Sequence, residues 1–399
     1  MSWGFRTPAY GFQLPYALIL TILLPTMPHR IAIDATPLLF PGTGVWRVTR
    51  ELLETMLPMA QPQDVTLFAR RFQGGGDMRS IAGAPIQRLR LPRTLADKTR
   101  ALGFTESRVG AQLYHATDHY LPLRDSTPTV ATIHDMIFMI APEKQFAKEH
   151  AWFAQRVPAF ARRCRRIIAI SEHTKRDIIE RLAIPGERID VIPWAVNRAT
   201  FSPSTDDGEL RARLKSAHGI AWPYFFAVSC SEGRKNTPRL LDAYARLVEK
   251  NPSHHLVVRW NAPAAIKEKY QRGRFADFIH FAGPVDDAGL ADLYRGATAM
   301  AFPSLYEGFG LPILEAMSCG TPVITSRNSS LEEVAGDAAR YVDPESVDSI
   351  HDALTDFENA APRVTGLREK GLLQAGRFSW EQTARMTLDV YARCLEKGA

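Results

Sequence analysis

The chain has 399 residues, 45% hydrophobic and 23% charged, with a formal net charge of +6. Its length and apolar content support two cores, so two domains of under about two hundred residues each are expected. The four cysteines, Cys164, Cys230, Cys319 and Cys394, form no C-x-x-C pair, which argues against a disulfide framework and a zinc site and fits a reduced, cytosolic protein.

The run Leu14 to Leu24 is apolar, but Pro15 and Pro25 bracket it and only Arg6 precedes it. It is short for a bilayer span, and no A-x-A-like cleavage site follows. Residues 1–27 are therefore either a start assigned too far upstream, with Met27 the true start, or a weak interfacial segment; the first is expected. From there short β-branched runs alternate with helical patterns, the rhythm of a parallel α/β architecture. RIAIDAT, VTLFAR, QRLRL, LYHAT, TVATIHD, RIIAISE and IDVIPWAV form the first series of strands. Several are nearly continuous apolar runs, as expected where helices cover both sheet faces. Gly74 to Gly76 mark a loop. Arg70 to Arg108 holds nine basic residues against three acidic, and Arg162 to Arg166 read RRCRR. Such patches meet anionic lipid, phosphorylated substrate or nucleic acid. No nucleic-acid module accompanies them, so no nucleic-acid partner is expected.

Around Phe201 to Gly208 the composition turns to Ser, Pro, Asp and Gly, as in a linker. A second series of strands follows: YFFAVSC, HLVVRWN, IHFAGPV, AMAFPS, PVITS and ARYVDP, before an amphipathic helix from Trp380 to Glu396. The expected domains are 28–200, a linker at 201–221, 222–378, and a terminal helix at 379–399.

The segment FPSLYEGFGLPILEAMSCGTPVITS, Phe302 to Ser326, carries the chemistry. It is a strand, a glycine-bearing loop, a helix start and a second strand. Pro312 suits the first helical turn. Gly308 and Gly310 let the backbone approach a ligand, leaving amides and the helix dipole to hold an anion. Glu307 and Glu315 then suit hydroxyls rather than phosphate, and phosphate plus polyol describes a sugar nucleotide. SEGRKNTPRLLDAY, Ser231 to Tyr244, places Arg234 and Lys235 at a strand-to-helix turn, with Asn236 or Thr237 as the helix cap. His134, ending TVATIHD, points into the crevice at the carboxyl end of a parallel strand. PGTGVWR, Pro41 to Arg47, opens a helix after the first strand; there Arg47 is either a phosphate ligand or an amphipathic-helix charge. SSLEEVAG contains the capping box Ser330 with Glu333.

The E-x7-E spacing within this flanking sequence resembles the signature of glycosyltransferase family 4, and the resemblance runs from about Arg30 to the C-terminus. It implies retaining enzymes of the GT-B fold: two Rossmann-like domains facing across a cleft, with the last helix crossing back onto the first domain. It implies a C-terminal domain that binds the nucleotide sugar and an N-terminal domain that faces the acceptor. By the same resemblance Glu315 accepts the ribose hydroxyls and Glu307 a hydroxyl of the transferred sugar. His134 orients that sugar. Amides of Phe309, Gly310 and Leu311, with Lys235 and Arg234, hold the diphosphate. Ser171 and Gly44 match positions facing the donor. No Asp-x-Asp motif stands at a matching strand end, so transfer without metal is expected, and no cofactor beyond the sugar-nucleotide co-substrate.

ATPLLFPGTGVWR and HDMIF are most similar to bacterial mannosyltransferases of polysaccharide assembly, which implies GDP-mannose as the donor and a glycan or lipid-linked acceptor. A peripheral contact with anionic membrane at the inner face of the cytoplasmic membrane accompanies that reading. Trp46, Trp194-Ala195, Ser229-Cys230 and Arg259-Trp260-Asn261 depart from the family pattern around the cleft. The alternative they raise is a catalytically silent sugar-nucleotide-binding protein of the same fold.

Overall fold

The computed structural model describes residues 31–60, 65–71, 80–90, 111–118, 127–140, 147–220, 222–229 and 233–396. The N-terminal run, the glycine triplet at Gly74 to Gly76, Cys230 and most of the Arg70 to Arg108 stretch lie outside these residues.

Two parallel sheets form two α/β domains. The first contains β1 (Ile31–Asp34), β2 (Val65–Arg71), β3 (Ser80–Ile81), β4 (Ala84–Arg90), β5 (Leu113–Ala116), β6 (Thr129–Ile133), β7 (Arg166–Ala169) and β8 (Ile189–Val191). Its order is β3-β4-β2-β1-β5-β6-β7-β8. The short strand β3 was not legible in the sequence. It pairs antiparallel with β4 through Ala82 and Gly83, both at positive φ (45° and 78°), the backbone a two-residue hairpin requires. The second sheet contains β9 (Tyr224–Val228), β10 (His255–Arg259), β11 (Ile279–Ala282), β12 (Ala299–Phe302), β13 (Val323–Ser326) and β14 (Ala339–Val342), in the order β11-β10-β9-β12-β13-β14. The six expected strands are all present.

The helices that matter for the site follow strand ends. They are α1 (Gly44–Met56), α2 (Glu172–Leu182), α3 (Asp207–His218), α4 (Thr237–Glu249), α5 (Asp287–Arg295), α6 (Leu311–Ser318), α7 (Leu331–Ala335) and α8 (Trp380–Glu396). Helix α3 occupies much of the stretch expected as a linker. Asp206 caps it by accepting from the Glu209 amide, and Leu210 and Leu214 are buried with Tyr224 and Tyr294 in the second core. Most of the Ser, Pro and Asp residues that read as a linker precede this helix, and only Asp207 and Gly208 of that stretch lie within it. Helix α8 crosses back as expected: Ala384, Val390, Tyr391 and Cys394 are buried with Ile33, Leu53 and Leu113 in the first core. Trp380 packs with Val48 and Ala195 where the domains meet. No helix of the described residues is long and apolar enough to cross a membrane.

Candidate active site

The site lies at the carboxyl ends of β9 and β12, which are neighbours although three strands apart in sequence. That is the switch point where open α/β sheets hold ligands. Buried Ser304 ties the two following loops together. Its hydroxyl lies 2.8 Å from the Arg234 carbonyl and 3.0 Å from Glu307 Oε1, and the Leu305 amide donates to the same Arg234 carbonyl at 2.8 Å. Ser330 Oγ donates to the carbonyls of Glu307 and Phe309, both at 2.8 Å.

Glu307, 6% exposed, is thereby fixed between two cations. Lys235 Nζ donates to Oε1 at 2.7 Å and Arg234 to Oε2. Burial favours the neutral acid, but Lys235 and Arg234 outweigh it and hold the carboxyl below its ordinary range. Lys235 also sits 4.5 Å over the Phe302 ring. Glu315, 3% exposed on α6, is the opposite case. Burial pushes its pKa up, and Asp287 adds to that. The Arg47 ion pair at 2.5 Å and the Tyr294 hydroxyl at 2.9 Å only partly offset the rise. Arg47 reaches from α1 of the first domain and pairs with both Glu315 and Asp287. It is thus an interdomain bridge, a third role beside the phosphate ligand and helix-surface charge that its sequence allowed.

The glycine-bearing loop meets the first domain directly. Ser171, the cap of α2, accepts from the Thr174 amide and donates to the Gly308 carbonyl at 2.8 Å. A Cβ on Gly308 would overlap the His134 carbonyl, so a glycine is required there by contact. His134, buried, donates from Nε2 to the Thr117 carbonyl at 2.8 Å, with its ring 5.2 Å from Trp194. Phe309 also packs edge-on against that indole, at 5.7 Å. Gly310 begins α6 at φ 105°, and Leu311 is the first helical residue. Gly44, exposed at the start of α1, has open space where a Cβ would stand. No close approach demands a glycine at that position.

Two caps differ from expectation. Asn236 precedes α4 at φ 57°, but its side chain donates to the carbonyls of Pro303 and Pro344 instead of capping. Ser330 and Glu333 form no capping box: Ser330 is taken by the loop carbonyls, and Glu333 accepts the amides of Glu172 (2.8 Å) and His173 (2.6 Å). Glu333 therefore caps α2 of the other domain. Tyr294, Asp287 and the Tyr306–Asp177 bond, 2.5 Å across the cleft, had no sequence signal beyond ordinary helix and loop residues. Among the described residues, no group of three or more His, Cys, Asp or Glu has metal-site geometry.

Residues 42–200 match the model for Glycosyltransferase Family 4 and residues 214–389 that for Glycosyl transferases group 1. The chain is 29% identical over 382 residues to the O-antigen chain mannosyltransferase B of Escherichia coli, covering 91% of this chain and 99% of that one. Its fold is similar to sucrose-phosphate synthase from Thermosynechococcus elongatus (TM-score 0.76, 20% identity, 93% and 100% of the two chains). It is also similar to Anabaena HepE in complex with UDP and glucose (TM-score 0.70, 17% identity, 91% and 99%). The two domains have the GT-B arrangement, and the chain belongs to the family 4, group 1 glycosyltransferases.

Proposed function

We propose that the protein is a retaining glycosyltransferase that moves mannose from GDP-mannose to a hydroxyl of a glycan or lipid-linked acceptor in cell-surface polysaccharide assembly. The observation that carries this reading is the pair of buried carboxylates, Glu307 beside Lys235 and Arg234 and Glu315 beside Tyr294, at the two ends of one loop-helix unit. Glu315 accepts the ribose hydroxyls and Glu307 a hydroxyl of the sugar. Lys235, Arg234 and the first amides of α6 stabilise the diphosphate as charge develops on it, the term that dominates when phosphate leaves. The bond from the anomeric carbon to the phosphate oxygen breaks, and the acceptor oxygen bonds to the same face. The departing phosphate takes the acceptor proton. Two fixed cations at the leaving group support transfer without metal. The mannosyltransferase named above supports the sugar and the pathway, and UDP with glucose in HepE supports the class of donor.

We place the enzyme in the cytoplasm, in peripheral contact with anionic lipid. The exposed Arg162 and Arg163 support that contact.

The test is thermal stabilisation of wild type and Glu315→Ala by GDP, UDP, ADP and dTDP sugars, since a ligand of the folded state raises stability by mass action. One nucleotide class should stabilise wild type and not the variant. Equal shifts in both proteins would remove Glu315 from the donor site.

A further inference from the structure

Arg259 ends β10 at the carboxyl edge of the second sheet. Alternation along the strand puts it on the same face as Val257. Val257 belongs to the core that contains Tyr294, Leu314 and Ala316, whereas Val258 and Trp260 pack on the opposite face. Arg259 thus shares a face with Tyr294, the hydroxyl partner of Glu315. In register it stands between Val228 of β9 and Ala282 of β11, both packed against that same core. On this face β12 ends in Phe302, under Lys235. Neighbouring strands are about 4.8 Å apart, so Arg259 lies two strands, roughly 10 Å, along the edge from the cations that flank Glu307.

Arg259 is half-buried, and its Nε is buried without a hydrogen-bond partner. Among the described residues its guanidinium makes no side-chain hydrogen bond or ion pair, unlike Arg47, Arg234 and Arg340, which each meet a carboxylate. A partly desolvated guanidinium without an acceptor is costly, and its planar fork fits two adjacent acceptors.

We propose that Arg259 reads the base of the sugar nucleotide, donating to O6 and N7 of guanine. The inference rests on the donor-site reading given above. It separates base from phosphate because the diphosphate charge is met at Lys235 and Arg234, with Glu315 at the ribose on the face that Arg259 shares. Guanine is the base whose edge presents two neighbouring acceptors; adenine pairs an acceptor with a donor, and cytosine presents a donor.

The experiment is calorimetric titration of the full chain with GDP, ADP and UDP, using wild type, Arg259→Ala, Arg259→Lys and Glu315→Ala. Unliganded melting temperatures serve as the fold control. Wild type should prefer GDP, and Arg259→Ala should lose roughly 10- to 100-fold in GDP affinity with little change for ADP and UDP. Arg259→Lys, which keeps the charge without the fork, should lose the preference as well. Equal losses for all three nucleotides would assign the guanidinium to phosphate and overturn the proposal. So would a lysine that restores the preference, or a wild type that favours ADP or UDP. Glu315→Ala should weaken all three alike. If wild type binds none of them, the donor-site reading fails and this inference falls with it.

Discussion

Glu307 and Glu315 are both buried glutamates, yet their surroundings move them in opposite directions. For Glu307 the neighbouring cations win, and its folded pKa lies below the ordinary 4.5. Its contribution to stability is therefore present at neutral pH and is lost as pH falls below that value. Glu307→Gln leaves Lys235 and Arg234 without their carboxylate, a loss on the order of 3 kcal/mol for a buried pair. Thermal unfolding should show that deficit at pH 7 and a smaller one at pH 4; a deficit that ignores acid would mean the charge is irrelevant. For Glu315 burial wins, and the raised pKa makes ionisation a cost to the folded state that grows as pH rises through it. The proposed contact of Glu315 with the ribose hydroxyls needs the carboxylate, so nucleotide affinity should fall at the acid end. Arg47→Ala removes the largest opposing charge and should move that limb to higher pH, while Asp287→Asn should move it lower. Nucleotide affinity measured from pH 5 to 8 checks both signs, and parallel profiles for the two variants would contradict the electrostatic account.

At the scale of elements, the loop between β12 and α6 is shaped by what it must touch. Gly308 passes against the His134 carbonyl while its own carbonyl accepts from Ser171 and Thr174. Gly308→Ala should therefore hold the domains apart without unfolding either. A displacement of about 1 Å at reacting groups costs on the order of 100-fold in rate. Transfer activity should drop by that order with the melting temperature nearly unchanged, and small-angle scattering should show a larger radius of gyration. Full activity in the variant would show that the loop yields instead of the domain contact. The same scale explains the capping box that did not form. Ser330 and Glu333 have the right spacing, but the Glu307 and Phe309 carbonyls and the open amides of α2 are better served by them.

At the scale of the molecule, α8 belongs by sequence to the second domain and by packing to the first. Tyr391 is buried there, its hydroxyl 2.5 Å from His115 Nδ1, and His115 Nε2 lies 2.9 Å from Thr132. Removing residues 379–399 would open the first core and leave His115 with a broken network. The truncated chain should be insoluble or lose cooperative unfolding of its first domain; a soluble truncation with an unchanged melting profile would show that α8 is dispensable.

The sequence alone determined the strands of both sheets, apart from β3, because a buried parallel strand writes itself as a continuous apolar run that needs no knowledge of its neighbours. It also determined the unit from Phe302 to Ser326, where glycine, proline and two glutamates are spaced by local backbone geometry. Only the tertiary structure decided the partners: Arg47 with Glu315, Glu333 with the start of α2, Tyr306 with Asp177, and a helix over much of the stretch expected as a linker. Periodicity is a local property of the chain. The partner a charge finds depends on which surfaces the fold brings within hydrogen-bond reach, and no spacing along the sequence records that distance.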